Sequence, residues 1–88
     1  MRYTISPDAA FAAVEDGAVV LHMATKRYYS LNETGAFVWR RLEDGLEDTD
    51  ITAQVIGEYD VGVDEAEEAL TGLLGELMKE SLIRVAES

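Results

Sequence analysis

The stretch Arg27-Tyr28-Tyr29-Ser30-Leu31-Asn32-Glu33-Thr34-Gly35-Ala36-Phe37-Val38-Trp39 changes its hydrophobic period half-way along, and that change decides the fold. From Arg27 to Leu31, aromatic residues combine with alternation by two, the pattern of a strand with Tyr29 and Leu31 on one face and Tyr28 on the other. Asn32 then stands where an N-cap belongs. Its side-chain oxygen can accept from the free amides of a helix running through Ala36-Phe37-Val38-Trp39-Arg40-Arg41-Leu42, which Asp44-Gly45 stops.

Working outward from this strand-to-helix junction, Phe11-Ala12-Ala13-Val14-Glu15 and Ala18-Val19-Val20-Leu21-His22 flank Asp16-Gly17, a dipeptide suited to a tight hairpin turn. Two antiparallel strands are predicted there, joined to the Arg27–Leu31 strand by the polar link Ala24-Thr25-Lys26. On the other side, a second helix begins near Asp48 or Thr49, covers Ile51, Val55 and Ile56 at helical spacing, and ends around Tyr59-Asp60, with Gly57 blurring its boundary. A third helix opens on Asp64 and Glu67, spaced as a capping box, and buries Ala66, Leu70, Leu73, Leu74 and Leu77. The tail Leu82-Ile83-Arg84-Val85 returns to alternation, which is read as a short strand or as packing beneath the helices.

The 88 residues suffice for one domain, spanning 1–88, with no internal repeat or linker. Nearly half are hydrophobic and 28% are charged, the balance of an ordinary globular chain. No apolar run approaches the roughly 20 residues needed to cross a bilayer, and the N-terminus lacks the apolar core of a secretory signal. Absence of cysteine excludes disulfides, thiolate metal sites and thiol nucleophiles, and a cytoplasmic location is expected. The formal charge of −11 is unevenly placed: residues 1–41 hold five basic and four acidic side chains, residues 42–88 two and fourteen. Such a field opposes binding to nucleic acid or to an anionic membrane and suits a neutral or basic peptide.

Catalysis is hard to build from this inventory. His22 is the one histidine, and with no second histidine or cysteine it completes no nucleophile, base or metal constellation; it is read as a strand-surface residue. The acidic run Glu43 to Asp50 does not follow EF-hand ligand spacing and reads as a solvated loop. Gly72 and Gly75 lie inside a helix and lack the strand-turn-helix setting of a phosphate loop. No catalytic residue, metal or cofactor is therefore expected.

The two helix glycines still need a reason, since each costs about 1 kcal/mol relative to alanine in a helix interior. At helical pitch, Glu65, Ala69, Gly72 and Glu76 form one stripe beside the leucine core, small in the middle and acidic at both ends. Either another polypeptide lies close to Ala69 and Gly72, or the chain's own sheet or first helix does. The Arg27–Leu31 strand offers the matching surface: at a sheet edge, its unpaired backbone groups accept an extended peptide as an added strand. Arg27 and Tyr28 are then specificity contacts, or they merely cover the edge.

The run Tyr29-Ser30-Leu31-Asn32-Glu33-Thr34-Gly35-Ala36-Phe37-Val38-Trp39, followed by Leu42 and Gly45, resembles the PqqD-like family, which includes the precursor recognition elements of ribosomally made, modified peptides. The stand-alone version from lasso-peptide pathways looks nearest. The likeness continues through both later helices to Glu80-Ser81-Leu82-Ile83; its Tyr-x-Leu-Asn-x-Thr-Gly core is specific, whereas the helical leucines are not. It implies an α+β, winged-helix-like fold in which a three-stranded antiparallel sheet is followed by three helices.

It also implies a function: non-catalytic binding of a precursor's leader segment as an added strand, with delivery to a leader peptidase or other modifying enzyme. The contact strand becomes Arg27, Tyr28, Tyr29, Ser30 and Leu31, and the wall Glu65, Glu68, Ala69, Gly72, Leu73 and Glu76. Pockets between Tyr28, Ala69, Gly72 and Leu73 select the leader. Where many relatives carry an aspartate on the third helix this chain has Ala69, with Glu68 beside it. The chain alone is expected to be monomeric. The rival readings are a structural accessory subunit of a larger modifying enzyme and a winged-helix DNA-binding module, the latter opposed by the charge of the second half.

Overall fold

The computed structural model describes residues 1–86. Its elements run β1 (Tyr3–Ile5), β2 (Ala9–Val14), β3 (Gly17–His22), β4 (Arg27–Asn32), α1 (Glu33–Glu43), α2 (Asp48–Tyr59), α3 (Val63–Lys79) and β5 (Ile83–Val85). The α+β class is as expected: β2, β3 and β4 form an antiparallel sheet in that order, followed by three helices. The tail does form a strand. It pairs with β1, whose strand-forming Tyr3-Thr4-Ile5 is too short to mark a strand alone, in a separate two-stranded ribbon with Tyr3 opposite Val85 and Ile5 opposite Ile83.

The hairpin differs from expectation by one residue. Val14 pairs with Gly17, so Glu15 and Asp16 form the two-residue turn and Gly17 opens β3. Glycine is needed there for space, because a Cβ would lie 1.9 Å from the Leu31 carbonyl oxygen of the neighbouring strand. Inward positions of β3 are Ala18, Val20 and His22, all buried, and their β4 partners are Leu31, Tyr29 and Arg27. His22 is thus 8% exposed and not a surface histidine; its Nδ1 accepts from the Thr25 amide at 3.4 Å.

The junction forms as its residues predict. Asn32 Oδ1 accepts from the Gly35 amide at 2.8 Å, capping α1. A Cβ on Gly35 would press within 3.2–3.3 Å of Asn32 and Leu31, so the glycine lets the helix start tight against the strand it leaves. Arg40 and Arg41 occupy the last turn, where cations suit the helix dipole, and Gly45, with φ of 78°, carries the chain away.

The capping box expected at Asp64 and Glu67 does not form. Helix α3 already begins at Val63, with Gly62 as its N-cap and no side-chain cap bond. Asp64 therefore sits within the first turn, where it complements the dipole but lies too far along to cap. Trp39, Val38, Ile51, Leu77, Leu82 and Val20 are the largest fully buried side chains, joining sheet, helices and tail in one core. Phe11 stacks on Trp39 at 6.2 Å between centroids, and the Arg40 guanidinium covers the Phe11 ring at 4.8 Å. Leu73, expected in the core, is only half-buried, and this opens the site.

Candidate functional site

Helix α3 packs on α2 and β5 through Ala66, Leu70, Leu74 and Leu77 and stands off from β4. Between α3 and β4 runs a groove of about 610 Å³. Strand β4 is an edge strand, paired with β3 on one side only. Its other side has backbone donors and acceptors that no strand among the described residues uses, and a second backbone can pair there.

Of the expected site residues, the groove gathers Tyr29, Ser30 and Leu31 from β4 with Glu65, Glu68, Ala69, Gly72, Leu73 and Glu76 from α3. The two readings of Gly72 separate here: a Cβ built on it meets nothing within 4 Å, so no part of the chain's own sheet or first helix requires its small size. The floor at Ala69 and Gly72 is open. Glu68 and Ala69 both line the groove, so the carboxylate nearest to the relatives' aspartate sits one residue earlier in the chain.

Arg27 and Tyr28 do not line the groove. Tyr28 pairs with Leu21 on the outer face of the sheet and is 72% exposed, so it cannot share a pocket with Ala69, Gly72 and Leu73. Arg27 has the inward parity of Tyr29 but lies at the strand's first residue, with Nη2 3.4 Å from Glu80 Oε1. The groove also takes in residues that sequence reasoning missed: Thr34, Gly35 and Val38 from α1, Val55 and Tyr59 from α2, and Val61 from the link to α3. Only Gly35 carried a local signal, through its place beside the Asn32 cap. Tyr59 and Val61 enter because α2 ends at a left-handed Asp60 and turns the chain back toward β4.

The groove is acidic along the helix and apolar at its base. The Tyr29 hydroxyl donates to Glu76 Oε2 across it. That bond, then loss of water, then the nearby charges of Glu76 and Glu80, push the phenol up to about 12. Tyr59 is also raised, first by loss of water and then by Glu33 and Glu58. Among the described residues no cluster of histidine and acids is placed to hold a metal ion, and no helix is long and apolar enough to cross a membrane. This arrangement can bind an extended chain through backbone pairing on one side and side-chain contacts on the other.

A family model described as coenzyme PQQ synthesis protein D (PqqD) matches residues 17–83, from the first residue of β3 to the first of β5. The chain belongs to the PqqD family. Two solved structures share its fold with a TM-score of 0.86 each. One, "TbiB1 in Complex with the TbiA(beta) Leader Peptide", is 28% identical and is covered completely by, and completely covers, this chain. The other, "Lasso peptide synthetase B1 complexed with the leader peptide", is 26% identical over 96% of this chain and 99% of its own. No curated protein matched the sequence. In this PqqD-family member, the matched segment contains both β4 and the whole of α3, the two sides of the groove.

Proposed function

We propose that this chain is a single leader-binding domain that recognises, without catalysis, the leader segment of a ribosomally made precursor in a lasso-peptide type of pathway. The leader adds as a strand to the free edge of β4, and its inward side chains settle over Ala69, Gly72 and Leu73. The chain then delivers the precursor to a leader peptidase or another modifying enzyme, working in the cytoplasm and monomeric by itself. Tyr28 on the outer face of the strand and Arg27 at its first residue are peripheral contacts.

The observation that carries this reading is the free β4 edge beside a groove whose helical floor is open at Gly72. Two structures of the same fold that hold leader peptides support it. Neither comparison favours a subunit without peptide affinity, and the charge of −11 disfavours DNA. A non-catalytic role is supported by the burial of the one histidine and the absence of cysteine.

Fluorescence anisotropy tests the proposal with two labelled peptides: the TbiA(beta) leader and the leader of any short precursor found encoded beside this chain's gene. Saturable binding, displaced by unlabelled leader and not by its scrambled sequence, is expected for at least the native pair. A chain that binds neither leader but co-purifies with a modifying enzyme is instead an accessory subunit.

A further inference from the structure

One end of the groove is bridged. Arg27 and Tyr29 lie two residues apart on the inward side of β4, while Glu76 and Glu80 lie four apart at the end of α3. Two residues of strand advance about 6.7 Å and four of helix about 6 Å, so the two rows are in step. Both rungs are made. The Tyr29 hydroxyl donates to Glu76, and Arg27 Nη2 meets Glu80 Oε1 at 3.4 Å. At the opposite end, Glu65 and Glu68 make no ion pair or side-chain hydrogen bond among the described residues.

We propose that Tyr29 and Glu76, backed by Arg27 and Glu80, are a clasp that fixes the spacing between the β4 edge and the α3 wall, so that Glu76 positions the groove and does not itself read the peptide. This rests on the leader-binding reading and reassigns one carboxylate within it. The Tyr29 rung is the stronger, because a phenol donating to a carboxylate makes a charge-assisted bond. Arg27 is largely exposed, and its pair with Glu80 contributes little alone. The clasp also explains how α3, which packs mainly on α2 and β5, can present a groove of defined width against β4. With Glu76 held by Tyr29, basic groups on a bound segment meet Glu65 and Glu68, at the end where β4 runs into α1.

The test compares wild type with Tyr29→Phe, Glu76→Gln and the double variant. Two measurements need no peptide. Because the chain lacks cysteine, spin labels at Leu21→Cys and Thr71→Cys report the distance from sheet to helix, and the distribution should broaden in each single variant and no further in the double. The Tyr29 phenol should ionise nearer to its ordinary value in Glu76→Gln. With the TbiA(beta) leader peptide as probe, each single variant should lose about tenfold in affinity and the double no more than either, the non-additivity of residues acting as one unit. If Glu76→Gln weakened binding equally in the wild-type and the Tyr29→Phe backgrounds, Glu76 would touch the peptide and the clasp would be overturned. Unchanged label distances and an unchanged Tyr29 titration would overturn it too. A wild type with clasp intact that bound no leader would instead overturn the functional reading alone.

Discussion

Helix α3 has a groove on each side, and the two are nearly equal in volume, about 610 and about 600 Å³. Each contains an interior glycine, Gly72 in the first and Gly75 in the second, with open space where a Cβ would stand. Each also has acidic residues along it. What differs is the backbone opposite the helix. The first groove faces β4, whose outer edge is unpaired. The second is walled by α2, whose backbone bonds are internal to the helix, by Met1, whose carbonyl already accepts from the Asp48 amide at 3.0 Å, and by Tyr3 of β1, a three-residue strand paired only with β5. Volume and small residues therefore do not distinguish the two grooves; the length of free strand edge does, six residues of β4 against three of β1.

Filling each groove in turn gives the largest expected contrast. Gly72→Leu should lower leader affinity by roughly 30- to 100-fold, of the order of the 1–3 kcal/mol that overpacking costs. Gly75→Leu, measured by the same anisotropy titration, should leave affinity unchanged. Equal losses would mean that the second groove also binds leader. Replacement by alanine sharpens the same comparison at smaller amplitude. Gly72→Ala and Gly75→Ala should each stabilise the chain by up to about 1 kcal/mol, since neither Cβ meets a neighbour. For a chain of this size that is a rise in Tm of roughly 4–8 °C by calorimetry. Only Gly72→Ala should also weaken leader binding, by a few-fold.

Much of this arrangement is legible in the sequence, and the misses have physical causes. The junction from Tyr29 to Trp39 carries its own instructions: alternation, the Asn32 cap and the Gly35 that fits beneath it are all local. Strand β1 is not legible, because Tyr3–Ile5 is a strand only through pairing with Ile83–Val85, at the other end of the chain. The capping box fails because an acid at the spacing of Asp64 and Glu67 suits the first turn as well as the cap, and the N-cap falls at Gly62, two residues before Asp64. His22 is buried and not on the strand surface, because its parity with Ala18 and Val20 points inward.

In the site itself, parity separates Tyr28 from Tyr29, but the shared pocket expected for Tyr28 ignores that separation. The contributions of Tyr59 and Val61 depend on where α2 ends in space, which no spacing along the chain discloses.

The smallest expected effect concerns pH and is read at Tyr29 in the first groove. Tyr29 is raised in the folded chain, to about 12, so the stability it contributes is complete below the ordinary tyrosine value of 10 and is lost as pH rises toward 12. Urea midpoints should fall more steeply through that window in wild type than in Tyr29→Phe. Parallel curves would detach Tyr29 from the stability of this end of the molecule.

The central claim is that the β4 edge, and not groove volume, makes the binding site. Titrating the ¹⁵N-labelled chain with leader peptide tests it most directly. The account predicts that the amides of residues 27–31 shift together with those of Ala69, Gly72 and Leu73, while Thr52, Gly75 and Met78 in the second groove stay where they are. Shifts confined to the second groove, or α3 shifts without any in residues 27–31, would contradict it.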